Sequence, residues 1–175
     1  MSIPSKAECC YILEMVESDL INFSYTHPWA EQIIQEVDVA PSWLCDLATK
    51  KYQGDQAKAL REYLFSEPHG EAPPDLDKFH IACLWLRYER RELSWATFLT
   101  LTGEYLDTVD GDWACETAYR YLNLFDDAYF SVDSEMDTKQ RYLVDHNLSP
   151  WIELARQKFK PFRILRRANK AQHRG

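Results

Sequence analysis

His80 and Cys83 stand three residues apart, a spacing that puts both on one face of a helix and could offer a metal two ligands. A structural zinc takes four such ligands, and no second pair among Cys9, Cys10, Cys45, Cys83 and Cys115 has the spacing to complete the set. The expected role of His80 is therefore that of a core histidine beside a small apolar cysteine. Asp107, Asp110 and Asp112 superficially suggest a calcium loop, but they lack the alternating ligands and terminal bidentate Glu of an EF-hand. The glycines (Gly54, Gly70, Gly103, Gly111, Gly175) are nowhere arranged to cradle a phosphate, and neither G-x-S-x-G nor H-E-x-x-H occurs. No cofactor, metal or catalytic motif is expected; an enzyme would need carboxylates remote in the chain to be assembled by folding.

What remains is charge. From Glu104 to Asp137 the chain carries ten carboxylates (Glu104, Asp107, Asp110, Asp112, Glu116, Asp126, Asp127, Asp133, Glu135, Asp137) against one cation, Arg120. Placing Asp112 as the cap of a helix puts Cys115, Ala118, Tyr121, Leu122, Phe125 and Tyr129 on one continuous face, extended sideways by Trp113 and Leu124. The middle of the segment is thus predicted to be core and its ends to present negative charge. Asp107, Asp110 and Asp112 are read as lying at a helix start, where the macrodipole favours them; Asp133, Glu135 and Asp137 likewise. Asp126 and Asp127 fall at a helix C-terminus, where anions are disfavoured by about 0.3–1 kcal/mol each, and have no such account.

The elements around this segment read as helices throughout, with few alternating strand patterns. Ser5 with Glu8 forms a capping box for a helix to about Leu20. Thr26-His27-Pro28-Trp29 is read as the start of a second helix, Pro41-Ser42 of a third closed by Gly54, and Asp55 as the cap of a fourth. Residues 66–75, SEPHGEAPPD, permit no regular element. Leu76 to Tyr88 is apolar on nearly every side and therefore predicted to be a buried helix. Ser94 caps the next, Ser134 starts another, and Ser149-Pro150 starts the last, with fraying beyond Leu165. The expected fold is all-α, a compact bundle of eight or nine helices. It comprises a single domain over residues 1–161, with the 66–75 loop between two helical halves, and a basic tail at 162–175.

Residues 151–175 hold eight Lys and Arg and one acid, whereas residues 1–150 hold twelve cations and twenty-seven acids. An acidic body with a basic tail is a statement about partners. No apolar run approaches the roughly 20 residues that span a bilayer, no signal peptide is read, and unpaired cysteine usage points to a reducing cytoplasm.

The segments WAEQII (29–34), PSWLCDL (41–47), CLWLRYERRELSWATFL (83–99) and the acidic GDWACE (111–116) together resemble, in kind, the small cytosolic immunity proteins that neutralise bacterial polymorphic and contact-dependent toxins. The resemblance implies a stoichiometric, non-enzymatic inhibitor that binds a cognate toxin domain, often a nuclease, and blocks its site. On the charge pattern, the contact residues would be Asp107, Asp110, Asp112, Asp126 and Asp127, with Tyr129 or Phe130 as an aromatic anchor facing a basic partner. The alternative is a nucleic-acid-associated regulatory or adaptor protein using Arg163, Arg166, Arg167, Lys170 and Arg174 on phosphates.

Overall fold

A computed structural model describes residues 2–109, 115–127 and 134–172, excepting the side chains of residues 115, 125–127, 134–137, 143 and 170–172. The described chain is all-α: α1 (Lys6–Glu17), α2 (Phe23–Glu36), α3 (Ser42–Thr49), α4 (Gln53–Leu64), α5 (Leu76–Glu89), α6 (Trp95–Thr108), α7 (Cys115–Asp127) and α8 (Ser134–Gln172). It forms two compact units, one of residues 1–76 with 156–175 and one of residues 77–155. The division falls just after the irregular 66–75 loop and again inside α8.

In the first unit α1 packs on α4, and α3 packs on both α2 and α4. Ser5 caps α1 by accepting from the Glu8 amide at 3.2 Å, while the Glu8 carboxylate receives the Lys158 ammonium at 2.6 Å. Helix α2 begins earlier than its proline suggests. Asn22 is the cap, its Oδ1 accepting from the Ser24 amide at 3.1 Å, and Pro28 lies within the helix. Gly54 does not close α3 but sits in the first turn of α4, which Tyr52 precedes without a side-chain cap. Gln56, fully buried, donates to Thr26 Oγ1 at 2.9 Å and to the Lys50 carbonyl at 2.7 Å, tying α4 to α2 and to the end of α3. Lys6 closes α4 from outside: its ammonium donates to the carbonyls of Leu64 and Ser66 and lies 5.1 Å from the Tyr63 ring centroid. A cation at a helix C-terminus satisfies orphan carbonyls and complements the dipole at once.

In the second unit α5 is buried from Phe79 to Leu86, as an all-round apolar helix should be. It ends in a Schellman motif: the amides of Arg91 and Glu92 donate to the carbonyls of Tyr88 (2.8 Å) and Arg87 (3.0 Å), with Arg91 at φ 61°. Ser94 then caps α6 by accepting from the Thr97 amide at 3.1 Å. Trp85, Tyr88, Trp95 and Phe98 form one aromatic cluster across the α5–α6 turn, with Trp85 edge-on to Phe98 at 5.7 Å. The Trp95 indole donates to Gln140 Oε1 of α8 at 2.9 Å.

Neither Pro150 nor Pro161 begins or ends a helix, and α8 runs unbroken through both. Its buried residues Gln140, Val144, Leu148, Ile152, Ala155, Phe159 and Phe162 recur every three or four positions, a single seam that holds the helix from outside. A proline deprives the carbonyl four residues back of its amide partner, here those of His146 and Gln157. Both residues are exposed, so water can take the place of the missing donor. Fraying is expected beyond Leu165, yet the described residues stay helical to Gln172, anchored by Phe162 stacked on Trp29 at 4.7 Å and by the Arg166 guanidinium 4.0 Å from the Tyr25 ring centroid.

Candidate functional site: an acidic helical hairpin

The acidic segment singled out by the sequence becomes the α6–α7 pair, which packs side by side in the second unit. Gly103 makes the approach possible. A Cβ there would lie 2.7 Å from the Tyr119 ring, well inside contact distance, so the ring rests directly on the α6 backbone. Because Gly103 faces Tyr119 and residues 109–114 join the helices, the pair is antiparallel.

Antiparallel packing divides the predicted contact residues. Asp107 is exposed in the last turn of α6, not at a helix start, so the dipole disfavours it and no base lies in that turn to offset it. Glu104, one turn earlier on α6, and Glu116, in the first turn of α7, are exposed as well. Asp126 and Asp127 occupy the last turn of α7, again without a base, about 18 Å away along the hairpin. Asp107 and the backbone of Asp126 and Asp127 thus belong to the last turns of two different helices. Asp110, Asp112, Tyr129 and Phe130 lie outside the described residues, as do the side chains of Asp126 and Asp127.

Between the two ends the outer face of α7 carries a shallow groove of about 370 Å³ lined by Glu116, Tyr119, Arg120, Asn123 and Leu124. Leu124, 41% exposed, and the Tyr119 ring supply apolar surface; Glu116, Arg120 and Asn123 supply a polar rim. Sequence periodicity assigned Leu124 to the flank of the core face. It is exposed instead, and among the described side chains of α7 Ala118 is the buried one. Neither Tyr119 nor Leu124 was singled out as a contact residue, and the available signal was Gly103 opposite a ring.

A second charged surface lies in the first unit. Of the cations proposed to meet phosphate, Arg163 and Arg167 are exposed on α8, whereas Arg166 is spent on Tyr25. Lys170 belongs to the same helix with its side chain outside the described residues, and Arg174 lies beyond them. Lys158 is also turned inward, against Glu8 and over the Tyr11 ring at 5.0 Å.

His80 is buried and stacks flat on Tyr105 with ring centroids 3.7 Å apart. Among the described residues no three His, Cys, Asp or Glu side chains converge as a metal would require. The Cys9 thiol is pushed up to about 12, first by burial and then by its neighbours Cys10 and Glu8, so it stays protonated and unreactive at neutral pH. Among the described residues no helix is long and apolar enough to cross a membrane. Comparison of the chain with protein-family models, with curated proteins and with solved structures finds no match.

Proposed function

We propose that the chain is a non-enzymatic protein-binding inhibitor of the immunity-protein kind, which neutralises a cognate toxin domain through the α6–α7 hairpin. The observation that carries this reading is the groove of Tyr119 and exposed Leu124 with Glu116 in its lining, on a helix pair whose α6 also exposes Glu104 and Asp107. Solvent-facing leucine beside a ring suits an apolar anchor from a partner, and the flanking acids suit a basic one. Asp107, which the helix dipole disfavours, is more readily understood as serving a partner than as serving the helix. Asp110 and Asp112, which follow Asp107 in the chain, and Asp126, Asp127, Tyr129 and Phe130 complete the proposed contact residues.

The test is neutralisation. The chain is co-expressed with the toxin domain encoded beside it, and direct binding is measured across a salt series. The expected outcome is rescue of growth, affinity that falls with salt, and loss of both in Leu124→Glu and in the double variant Asp107→Lys, Glu116→Lys. Salt-indifferent binding, or full rescue by both variants, overturns the proposal.

A further inference from the structure

The C-terminal half of α8 carries a feature that toxin neutralisation does not use. Arg156, Lys160, Arg163 and Arg167 follow one another at intervals of four, three and four residues. On an α-helix those intervals confine them to an arc of about 60° and to a line about 16 Å long. All four are exposed, and Lys170 occupies the next position of the same register. The opposite side of the helix is fixed, since Phe159 and Phe162 pack on Tyr25 and Trp29. The stripe is therefore presented on a helix that the fold has already ordered. The remaining described cations of this half-helix, Lys158 and Arg166, are drawn inward, and Arg156 is itself partnered, so the charge offered outward is that of Lys160, Arg163 and Arg167.

We infer that this face binds the phosphate backbone of duplex nucleic acid, without reading sequence. Three observations select that partner. The cations recur every 4.5–6 Å or so along a straight line, as suits a linear polymer of regularly spaced charge. No aromatic side chain stands among the exposed residues of the stripe, so a single strand would find no platform on which to stack its bases. Phe159 and Phe162 are buried, and among the described residues of this half-helix Ile164 is the single exposed large apolar side chain, too small an anchor for a lipid surface. The same lack of an aromatic or apolar anchor disfavours an acidic protein surface.

The expected behaviour is quantitative. Lys160, Arg163 and Arg167 together would neutralise three phosphates, giving a slope of log K against log salt of about −2.7. Affinity for a 20-base-pair DNA duplex, followed by fluorescence anisotropy, should then fall roughly fortyfold between 50 and 200 mM salt and be the same for two unrelated sequences. The double variant Arg163→Glu, Arg167→Glu should lose detectable binding while keeping its helical circular dichroism. Lys58→Glu, which reverses an exposed cation of α4, should bind as the wild type does. Duplex binding unchanged in the double variant, no binding at 50 mM salt, or tighter binding to anionic vesicles or to polyglutamate than to the duplex overturns the inference. These outcomes are independent of the proposed toxin neutralisation, which is assigned to the α6–α7 pair of the second unit.

Discussion

At the level of single residues, burial decides which titratable groups matter. Cys9 is fully buried and holds its proton to about pH 12, whereas the unfolded thiol releases it near 9.0. Between those values the folded chain binds one more proton than the unfolded chain, so stability falls as pH rises. At neutral pH Cys9→Ala should cost about 1–2 kcal/mol by leaving a small void. Above pH 9 the wild type should lose this advantage by about 1.4 kcal/mol per pH unit, and urea unfolding of both proteins across that range measures the crossing. Histidine and cysteine spacing was legible in the sequence as far as it went. Nothing in the spacing of His80 and Cys83 could show that Tyr105 would cover the imidazole, because the stacking partner comes from another helix.

At the level of elements, caps were legible and prolines misled. Ser5 and Ser94 accept the amides their positions predict, since a cap is a local hydrogen bond between residues three apart. Pro28 and Pro150 were read as first-turn residues because that is where a proline costs least. Both lie inside helices instead, where tertiary burial outweighs the lost amide: Trp29 and Ile33 for α2, Leu148 and Ile152 for α8. The same limit explains Asp107. Its chain neighbours suggest a helix start, and only the continuation of α6 to Thr108 reveals that it faces an unfavourable dipole. Gly103 offers a direct test of the hairpin. Gly103→Val puts methyl groups where the Tyr119 ring lies and should destabilise the protein by about 2–3 kcal/mol. Adding Tyr119→Ala should recover most of that cost, and a double-mutant cycle of thermal unfolding reads the coupling.

At the level of the whole molecule, the all-α class followed from periodicity and composition, but the organisation did not. The sequence suggests a helical body over residues 1–161 followed by a basic, partly frayed tail at 162–175. In the structure the supposed tail begins at a residue only 3% exposed, Phe162, which fills the first unit against Trp29. Charge cannot announce this, because the cations of α8 and its apolar seam share the same turns. Phe162→Ala should cost about 3–5 kcal/mol and lower the denaturation midpoint accordingly. Reversing Arg163, one residue on, should leave the midpoint nearly unchanged. Truncation at residue 161 would thus confuse loss of charge with loss of fold, and substitution of exposed cations separates them.

The division of α8 between the two units also sets an order of events during synthesis. Residues 1–76 leave the ribosome lacking the segment from Arg156 onward that their unit requires. The intervening residues take roughly 4–16 s to make at 5–20 residues per second. Through that interval Tyr25 and Trp29 stand uncovered, while the second unit, contiguous in the chain, receives every one of its helices first. The part of the protein that starts earliest is thus completed last, and a nascent chain stalled near residue 155 would expose those rings to chaperones or to other chains.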